Sequence, residues 1–149
     1  MPSENASESS APRLHLFVYG TLQLPDILYT VTGARWLGRA AVLEGYARYQ
    51  VRGKPYPAIV VEPTGSVSGL VYSEVGALEL ERLDCYEGEL YERCTLEVRV
   101  GASRLSAVGY VLGDQHRALL SPEPWDLAAF ERDHLAEYLR RISLTQRAP

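Results

Sequence analysis

The sequence predicts an α+β protein: a small, mainly antiparallel sheet that is curled or closed into a β-barrel-like shape, has about six to seven strands, and is flanked by short helices. Seven short apolar segments separated by turn residues indicate strands. Most neighbouring segments are joined by connections too short for the crossovers of a parallel sheet. Three other segments carry helical periodicity or helix-capping residues, and they interrupt the strands only occasionally.

The first half of the chain supplies five of the predicted strands. Residues 14–19 are an apolar run that ends at Gly20, which is typical of a buried strand. Pro25 suits the first turn of a helix and Gly33 suits its end, so residues 25–32 are predicted to be helical. Four further strands are expected, the last two of them paired as a hairpin, with turns at 52–55 and 63–66: residues 36–43, 46–51, 56–61 and 67–72.

The second half contains two helices and one more hairpin. Residues 75–85 carry three leucines among acidic residues, which indicates a helix, and Gly88 lies just past its end. Residues 91–100 alternate apolar and polar side chains and predict a half-exposed strand, which 105–112 follows as the returning strand. A long connection then leads to a helix over residues 126–142, whose apolar stripe comprises Leu127, Phe130, Leu135, Tyr138, Leu139 and Ile142.

Length and composition limit the organisation and the partners. We expect a single domain over residues 13–143, a disordered N-terminal tail over 1–12 and a C-terminal tail over 144–149. The net charge of −4 argues against nucleic acid, and no apolar run approaches the ~20 residues that span a bilayer. Residues 1–12 lack the features of a signal peptide, and only two cysteines occur. A cytoplasmic protein that binds neither nucleic acid nor membranes is the simplest interpretation, with the oligomeric state left open.

Several common kinds of catalytic site are not indicated. The three histidines, His15, His116 and His134, fall in separate elements without metal-site spacing, so surface or supporting roles are expected and no metal site is predicted. The dinucleotide, P-loop and nucleophile-elbow motifs do not occur. Cys85 and Cys94 offer thiols, but the expected role of both is that of small buried apolar residues.

Residues 83–88, Leu-Asp-Cys-Tyr-Glu-Gly, place two carboxylates in the last turn of a predicted helix. Asp84 and Glu87 are three residues apart and therefore lie on neighbouring positions of one face, at the unfavourable negative end of the helix dipole. A glutamate packed there by Tyr86 and Tyr91 would have a raised pKa and would accept protons near neutral pH. The alternative is that both acids are ordinary solvated surface residues.

Residues 19–22, Tyr-Gly-Thr-Leu, connect the first strand to the first helix. Gly20 permits a sharp turn and a close approach of ligand to the backbone. Successive N–H groups in such a turn form a hollow that suits a carboxylate or a developing oxyanion. On its own the segment is also compatible with a purely structural turn.

Three segments in order give the chain a resemblance to a known family. They are Leu-Phe-Val-Tyr-Gly-Thr-Leu at 16–22, Tyr-Pro-Ala-Ile-Val at 56–60, and the segment 83–88 followed by Tyr-Glu-Arg at 91–93. Together they resemble the gamma-glutamylcyclotransferase family, most of all its AIG2-like branch, which includes gamma-glutamylamine cyclotransferases. The resemblance covers residues 14–112.

The resemblance implies an enzyme of a defined kind. Such enzymes are small closed sheets flanked by helices, and they cleave a small-molecule γ-glutamyl substrate without metal or organic cofactor. The substrate's own α-amine attacks its γ-carbonyl and gives 5-oxoproline and a free amine or amino acid. By this resemblance, Glu87 is the general base and the substrate-binding loop is Tyr19, Gly20, Thr21 and Leu22.

A substrate whose own amine is the nucleophile needs no nucleophilic side chain from the protein. This fits the sequence, in which no motif of a nucleophilic serine or cysteine was found. Tyr91 is expected to orient Glu87 or the substrate, and Tyr56 and Pro57 are expected to line the pocket. Trp125 is predicted either to cover the pocket or to pack in the core, and Glu131 to be a rim residue or a second acid. The alternatives to a cyclotransferase are a non-catalytic small-molecule binding module and an amidohydrolase in which Glu87 activates water.

Overall fold

The structure, a computed structural model, describes residues 13–147, so the predicted N-terminal tail lies outside the described residues. Within this part five strands and four α-helices follow one another, with short 3-10 turns at Thr21–Gln23, Gly88–Leu90 and Asp114–Leu119. The order is β1 (Leu14–Val18), α1 (Pro25–Thr32), β2 (Arg39–Gln50), β3 (Pro57–Val75), α2 (Ala77–Glu87), β4 (Tyr91–Val100), β5 (Ser103–Leu112), α3 (Leu127–Asp133) and α4 (Leu135–Arg147).

The five strands form a ring-like sheet in the order β1-β3-β2-β4-β5, with β5 returning to β1. Neighbouring strands are antiparallel except β1 and β5, which meet in parallel at Leu16 and Val108. Two of the strand pairs that close the ring are short. The strands β1 and β5 pair at one register position, and so do β2 and β4, where Val42 lies opposite Arg99. The predicted α+β class and the curled, barrel-like sheet are therefore confirmed.

The strand count differs from the prediction because four predicted strands merge into two long ones. Residues 56–61 and 67–72 do not pair with each other, as a hairpin would; both pair with β2 as parts of the continuous β3. The predicted turn at 63–66 is part of a bulge, since the register jumps from Glu44 with Ser66 to Tyr46 with Val61. On β2 the intervening residue is Gly45 at a φ of 89°, which bends the strand without ending it.

The helices follow the predicted positions with three differences, one in α2 and two at the end of the chain. The second helix, predicted over 75–85, lies two residues later at both ends, at Ala77–Glu87. The first begins at Pro25 and ends before Gly33 as predicted, and Gly33 has the left-handed φ of 79° that a glycine terminus provides. The predicted final helix is divided at His134, whose φ is −129°. Its second part continues to Arg147, beyond the predicted end at residue 142, because no glycine or proline follows there to stop the helix.

Apolar side chains form a core inside the ring and a second core between the ring and the helices. Phe17, Leu43 and Ile59 are fully buried inside the ring, whereas Ile27 and Phe130 belong to the helical core. The two cores meet across β1, because its successive side chains point in opposite directions. No helix within residues 13–147 combines the length and apolar character needed to cross a membrane.

The two cysteines do not share the burial predicted for them. Cys94 is half-buried and packs against the core inside the ring. Cys85 is exposed on α2, because the buried position of that turn is taken by Leu83. The expectation of a buried Cys85 is therefore wrong.

Candidate active site

The eight residues predicted to be the catalytic base and the substrate-binding residues all line one cavity of about 140 Å³. They come from the connection after β1, the start of β3, the end of α2 and the start of β4. The predicted residues that meet there are Tyr19, Gly20, Thr21, Leu22, Tyr56, Pro57, Glu87 and Tyr91. The remaining lining residues are Phe17, Val18, Tyr86, Leu90, Tyr110 and Tyr138.

Glu87 is the last residue of α2 and is held by its helix and by the turn after it. Leu83, one turn earlier, is fully buried and fixes the helix against the core. Gly88 adopts a φ of 73° and donates its N–H to the carbonyl of Asp84, so the chain reverses directly after Glu87. A Cβ on Gly88 would meet no atom, so the positive φ is what favours glycine here.

The two acids of this helix turn have different surroundings. Asp84 has a side chain that is 45% exposed, and it accepts hydrogen bonds from Arg93 at 2.8 Å and from the Tyr110 hydroxyl at 2.6 Å. Glu87 faces the cavity, and within residues 13–147 no side-chain hydrogen bond or ion pair involves its carboxyl. The interpretation as surface acids therefore describes Asp84 and not Glu87.

Burial, together with the smaller effect of the nearby charge of Asp84, raises the pKa of Glu87 from its ordinary 4.5 to about 8. Desolvation disfavours the charged carboxylate, and no ion pair between described residues compensates for the lost water. Because the residue keeps partial exposure through the cavity, a small molecule can reach the carboxyl. Such a group exchanges protons near neutral pH, which ordinary glutamates do not do.

The loop after β1 is fixed by contacts on both sides. The Tyr19 hydroxyl donates to the carbonyl of Tyr110 at 2.6 Å, and the Arg48 guanidinium donates to the carbonyl of Tyr19 at 2.8 Å. A Cβ on Gly20 would lie 3.0 Å from the ring of Pro57, so glycine lets the loop and the opposite wall approach each other. The N–H groups of Thr21 and Leu22 are used by no hydrogen bond between described residues.

Tyrosine hydroxyls dominate the polar surface of the cavity. Thr21 is hydrogen-bonded to Tyr86 at 2.8 Å, and Tyr86 in turn to Tyr138, which links the loop after β1 to α2 and α4. Burial raises the pKa of Tyr86 well above 10, so its hydroxyl stays protonated. Tyr91 donates to the carbonyl of Pro57 at 2.7 Å rather than to Glu87, so it holds the start of β3 on the opposite wall.

Three contributors to the site were not identified from the sequence. Tyr110 and Tyr138 line the cavity, and Arg48 holds the loop from outside it. Each contacts a site residue that is 29 or more positions away in the sequence, and short motifs do not predict such contacts. Within residues 13–147 no cluster of three or more His, Cys, Asp or Glu side chains is arranged to hold a metal ion.

The two residues left open in the sequence analysis lie outside the cavity. Trp125 is buried against Phe130 and donates its indole N–H to the carbonyl of Pro55 at 2.7 Å, so it packs in the core and anchors the loop before β3. Glu131 is exposed on α3 and does not line the cavity. Trp125 therefore does not cover the cavity, and Glu131 does not act as a second acid beside Glu87.

A family model, a curated relative and a solved structure all match this chain. The model of the family described as gamma-glutamyl cyclotransferase, AIG2-like, matches residues 16–142, which include all eight predicted site residues. AIG2-like protein B of Arabidopsis thaliana is 31% identical over 140 residues, covering 92% of this chain and 81% of the relative. The solution structure of an Arabidopsis thaliana protein aligns with a TM-score of 0.67 at 30% identity, covering 90% of this chain and 82% of the other.

A more distant structure shares the fold. A protein named gamma-glutamyl cyclotransferase aligns with a TM-score of 0.61 at 14% identity, covering 88% of this chain and 86% of the other. At that identity the likeness concerns the fold alone. The predicted family resemblance and the predicted fold are thus both confirmed.

Proposed function

Because this chain belongs to the AIG2-like gamma-glutamyl cyclotransferase family, we propose that it is a cyclotransferase. It converts a γ-glutamyl compound into 5-oxoproline and a free amine or amino acid, and Glu87 is the general base. The substrate is a small molecule, and its own α-amine is the nucleophile. No protein nucleophile is required, because attack within one molecule already has the advantage of proximity.

The observation that carries this proposal is the unpartnered carboxyl of Glu87 in a cavity lined by tyrosines. Its pKa of about 8 lies much closer to that of an amino-acid α-amine than the ordinary pKa of a glutamate does. Proton exchange between two groups of similar pKa has a small free-energy cost in either direction, which suits a base that must later return its proton. An ammonium group entering the cavity would also give Glu87 the opposite charge that the described protein side chains do not supply.

The proposed reaction conserves every atom of the substrate. The substrate ammonium transfers a proton to Glu87, and the freed amine attacks the γ-carbonyl carbon to close a five-membered ring. In the tetrahedral intermediate the carbonyl oxygen carries negative charge. When the bond to the leaving nitrogen breaks, Glu87 returns its proton to that nitrogen and then takes the second proton of the attacking nitrogen, which leaves the lactam N–H of 5-oxoproline. Glu87 passes this last proton to the released amine, so 5-oxoproline and an ammonium leave and the carboxylate is restored.

The remaining groups of the cavity would hold and polarise the substrate. The N–H groups of Thr21 and Leu22 are available for the α-carboxylate or for the developing oxyanion. The Tyr86 hydroxyl is fixed between Thr21 and Tyr138, so its position in the cavity wall is set before the substrate binds. Such preorganised groups stabilise charge without reorganising during the reaction.

The test is product analysis with a panel of γ-glutamyl amines, γ-glutamyl amino acids and glutathione. The proposal predicts 5-oxoproline and the free amine in equal amounts from at least one member of the panel. Glutamate in place of 5-oxoproline would instead indicate an amidohydrolase in which Glu87 activates water. No turnover, together with thermal stabilisation by 5-oxoproline, would indicate a non-catalytic binding module.

A further inference from the structure

Arg48 is a half-buried arginine on β2 whose guanidinium takes part in no ion pair between described residues. Its Nη1 atom donates to two backbone carbonyls, that of Tyr19 at 2.8 Å and that of Ser68 at 3.0 Å. Asp126 is close enough to interact with this charge, but its carboxylate accepts a hydrogen bond from the N–H of Ala129 at the start of α3 instead. A partly buried charge without a paired carboxylate has an unfavourable desolvation energy, which a neutral donor to the same carbonyls would avoid.

The peptide that joins Tyr19 to Gly20 has its two polar groups on opposite sides of the loop. A trans peptide carries its C=O and its N–H in opposite directions, and no cis peptide bond occurs within residues 13–147. Arg48 binds the Tyr19 carbonyl from outside the Glu87 cavity, since Gly20 lines that cavity and Arg48 does not. The N–H of Gly20 is therefore directed away from Arg48, and no hydrogen bond between described residues uses it.

A charged donor at the carbonyl changes the strength of this N–H group. Hydrogen bonds polarise one another, and a bond from an ionised donor is stronger than one from a neutral donor. The N–H of Gly20 precedes those of Thr21 and Leu22, which also have no partner among the described residues. Successive N–H groups of this kind form a hollow that binds anions, and a positive charge behind the first of them favours an anion further.

The path of the loop does not depend on Arg48 alone. The ring of Tyr19 is buried, and its hydroxyl donates to the carbonyl of Tyr110 at 2.6 Å. On the other side of Gly20, the Tyr72 hydroxyl donates to the carbonyl of Leu22 at 2.8 Å. Neutral tyrosines thus anchor the chain before and after Gly20, and the guanidinium adds a charge that these anchors do not have.

We propose that Arg48 is a positioning residue for anion binding, which orients the N–H of Gly20 toward the Glu87 cavity and strengthens it as a donor to a carboxylate of the ligand. The inference rests on the proposed function for the identity of that ligand, because 5-oxoproline and its γ-glutamyl precursor share one carboxylate. Arg48 itself does not contact the ligand, and its charge acts through the peptide between Tyr19 and Gly20. A neutral ligand of the same shape gains little from this charge.

The test compares two ligands that differ in charge and hardly in shape, 5-oxoproline and 5-oxoprolinamide, by calorimetric titration at about pH 6, below the pKa of Glu87. The wild type should bind 5-oxoproline more tightly than the amide. Arg48→Met should raise the Kd of 5-oxoproline about tenfold and that of the amide less than about twofold, because only the carboxylate interacts with the lost charge. Arg48→Lys, which keeps the charge, should retain most of the preference. Arg104→Met is the matched control, since it removes the same charge from an exposed position on β5 outside the cavity.

A purely structural role would have a different result, because a displaced loop disturbs the binding of both ligands. Equal losses for the two ligands, an Arg48→Lys variant no better than Arg48→Met, or an equal effect of Arg104→Met would each refute the proposal. If Arg48→Met does not fold, Arg48→Gln, a neutral side chain that can still donate a hydrogen bond, gives the same comparison. The titrations require no turnover, so a failure to form 5-oxoproline overturns the cyclotransferase proposal alone, whereas a wild type without preference for 5-oxoproline overturns this one.

Discussion

Replacement of Glu87 by glutamine should stabilise the protein, and the gain should grow with pH. The pKa of Glu87 in the folded protein is about 8, against an ordinary value of 4.5. Between these values the folded state holds the proton more tightly than the unfolded state. The free energy of unfolding therefore falls as the pH rises from about 4.5 to about 8, and glutamine, which does not titrate, removes this loss.

The magnitude follows from the two pKa values. Linkage gives a penalty of about 4 kcal/mol at pH 8 and about 1 kcal/mol at pH 5, hence a difference of about 3 kcal/mol between them. Water in the open cavity screens part of this penalty, so we expect about 2 kcal/mol. For a domain of this size that corresponds to roughly 4–8 °C in Tm.

The assay is thermal unfolding of the wild type and Glu87→Gln from pH 5 to pH 8 at constant ionic strength. The difference in Tm between the two proteins isolates Glu87, because all other titrations are common to both. Glu89→Gln, an exposed acid two residues away, is the control and should give a small difference that does not vary with pH. A Tm difference for Glu87→Gln that stays constant with pH, or that favours the wild type at pH 8, would refute the desolvated carboxyl.

Three further predictions concern the supports of the site. Asp84→Asn removes the charge that helps to raise the pKa of Glu87, so the rising limb of kcat/KM against pH should move to lower pH; an unmoved limb argues against coupling of the two acids. Arg48→Met removes two hydrogen bonds to backbone carbonyls and should cost about 2–4 kcal/mol in denaturant unfolding; a smaller loss than about 1 kcal/mol means that the loop is held by other contacts. Gly20→Ala places a methyl group 3.0 Å from Pro57 and should lower kcat/KM at least about tenfold with little change in Tm, whereas unaltered kinetics would show that the wall can yield.

Local patterns and the family resemblance selected residues that the fold brings together in one cavity. The first helix was predicted to the residue, because Pro25 and Gly33 mark its two ends by backbone geometry that these residue types favour. Glu87 and the loop around Gly20 were likewise identified from short segments with a physical reason for each residue. Their meeting in one cavity was an expectation of the family resemblance and is a property of the fold.

Long-range arrangement accounts for the errors and omissions. Gly45 and the segment 63–66 have the composition of turns, yet they form a bulge, because both flanking stretches of β3 find their partners on β2. Tyr110 and Tyr138 enter the cavity from strands and helices distant in sequence, and their periodicity alone marks them as core residues. Sequence patterns describe the local backbone well, but they do not specify which distant side chains share a space.

The central claim is that Glu87 moves the proton in a cyclisation carried out by the substrate itself. It is tested most directly by the rate of 5-oxoproline release from a saturating γ-glutamyl substrate by the wild type, Glu87→Gln and the control Glu89→Gln. Loss of a general base predicts that kcat of Glu87→Gln falls by about 10²- to 10⁴-fold while Glu89→Gln keeps the wild-type rate. A Glu87→Gln variant that releases 5-oxoproline at the wild-type rate would contradict the account.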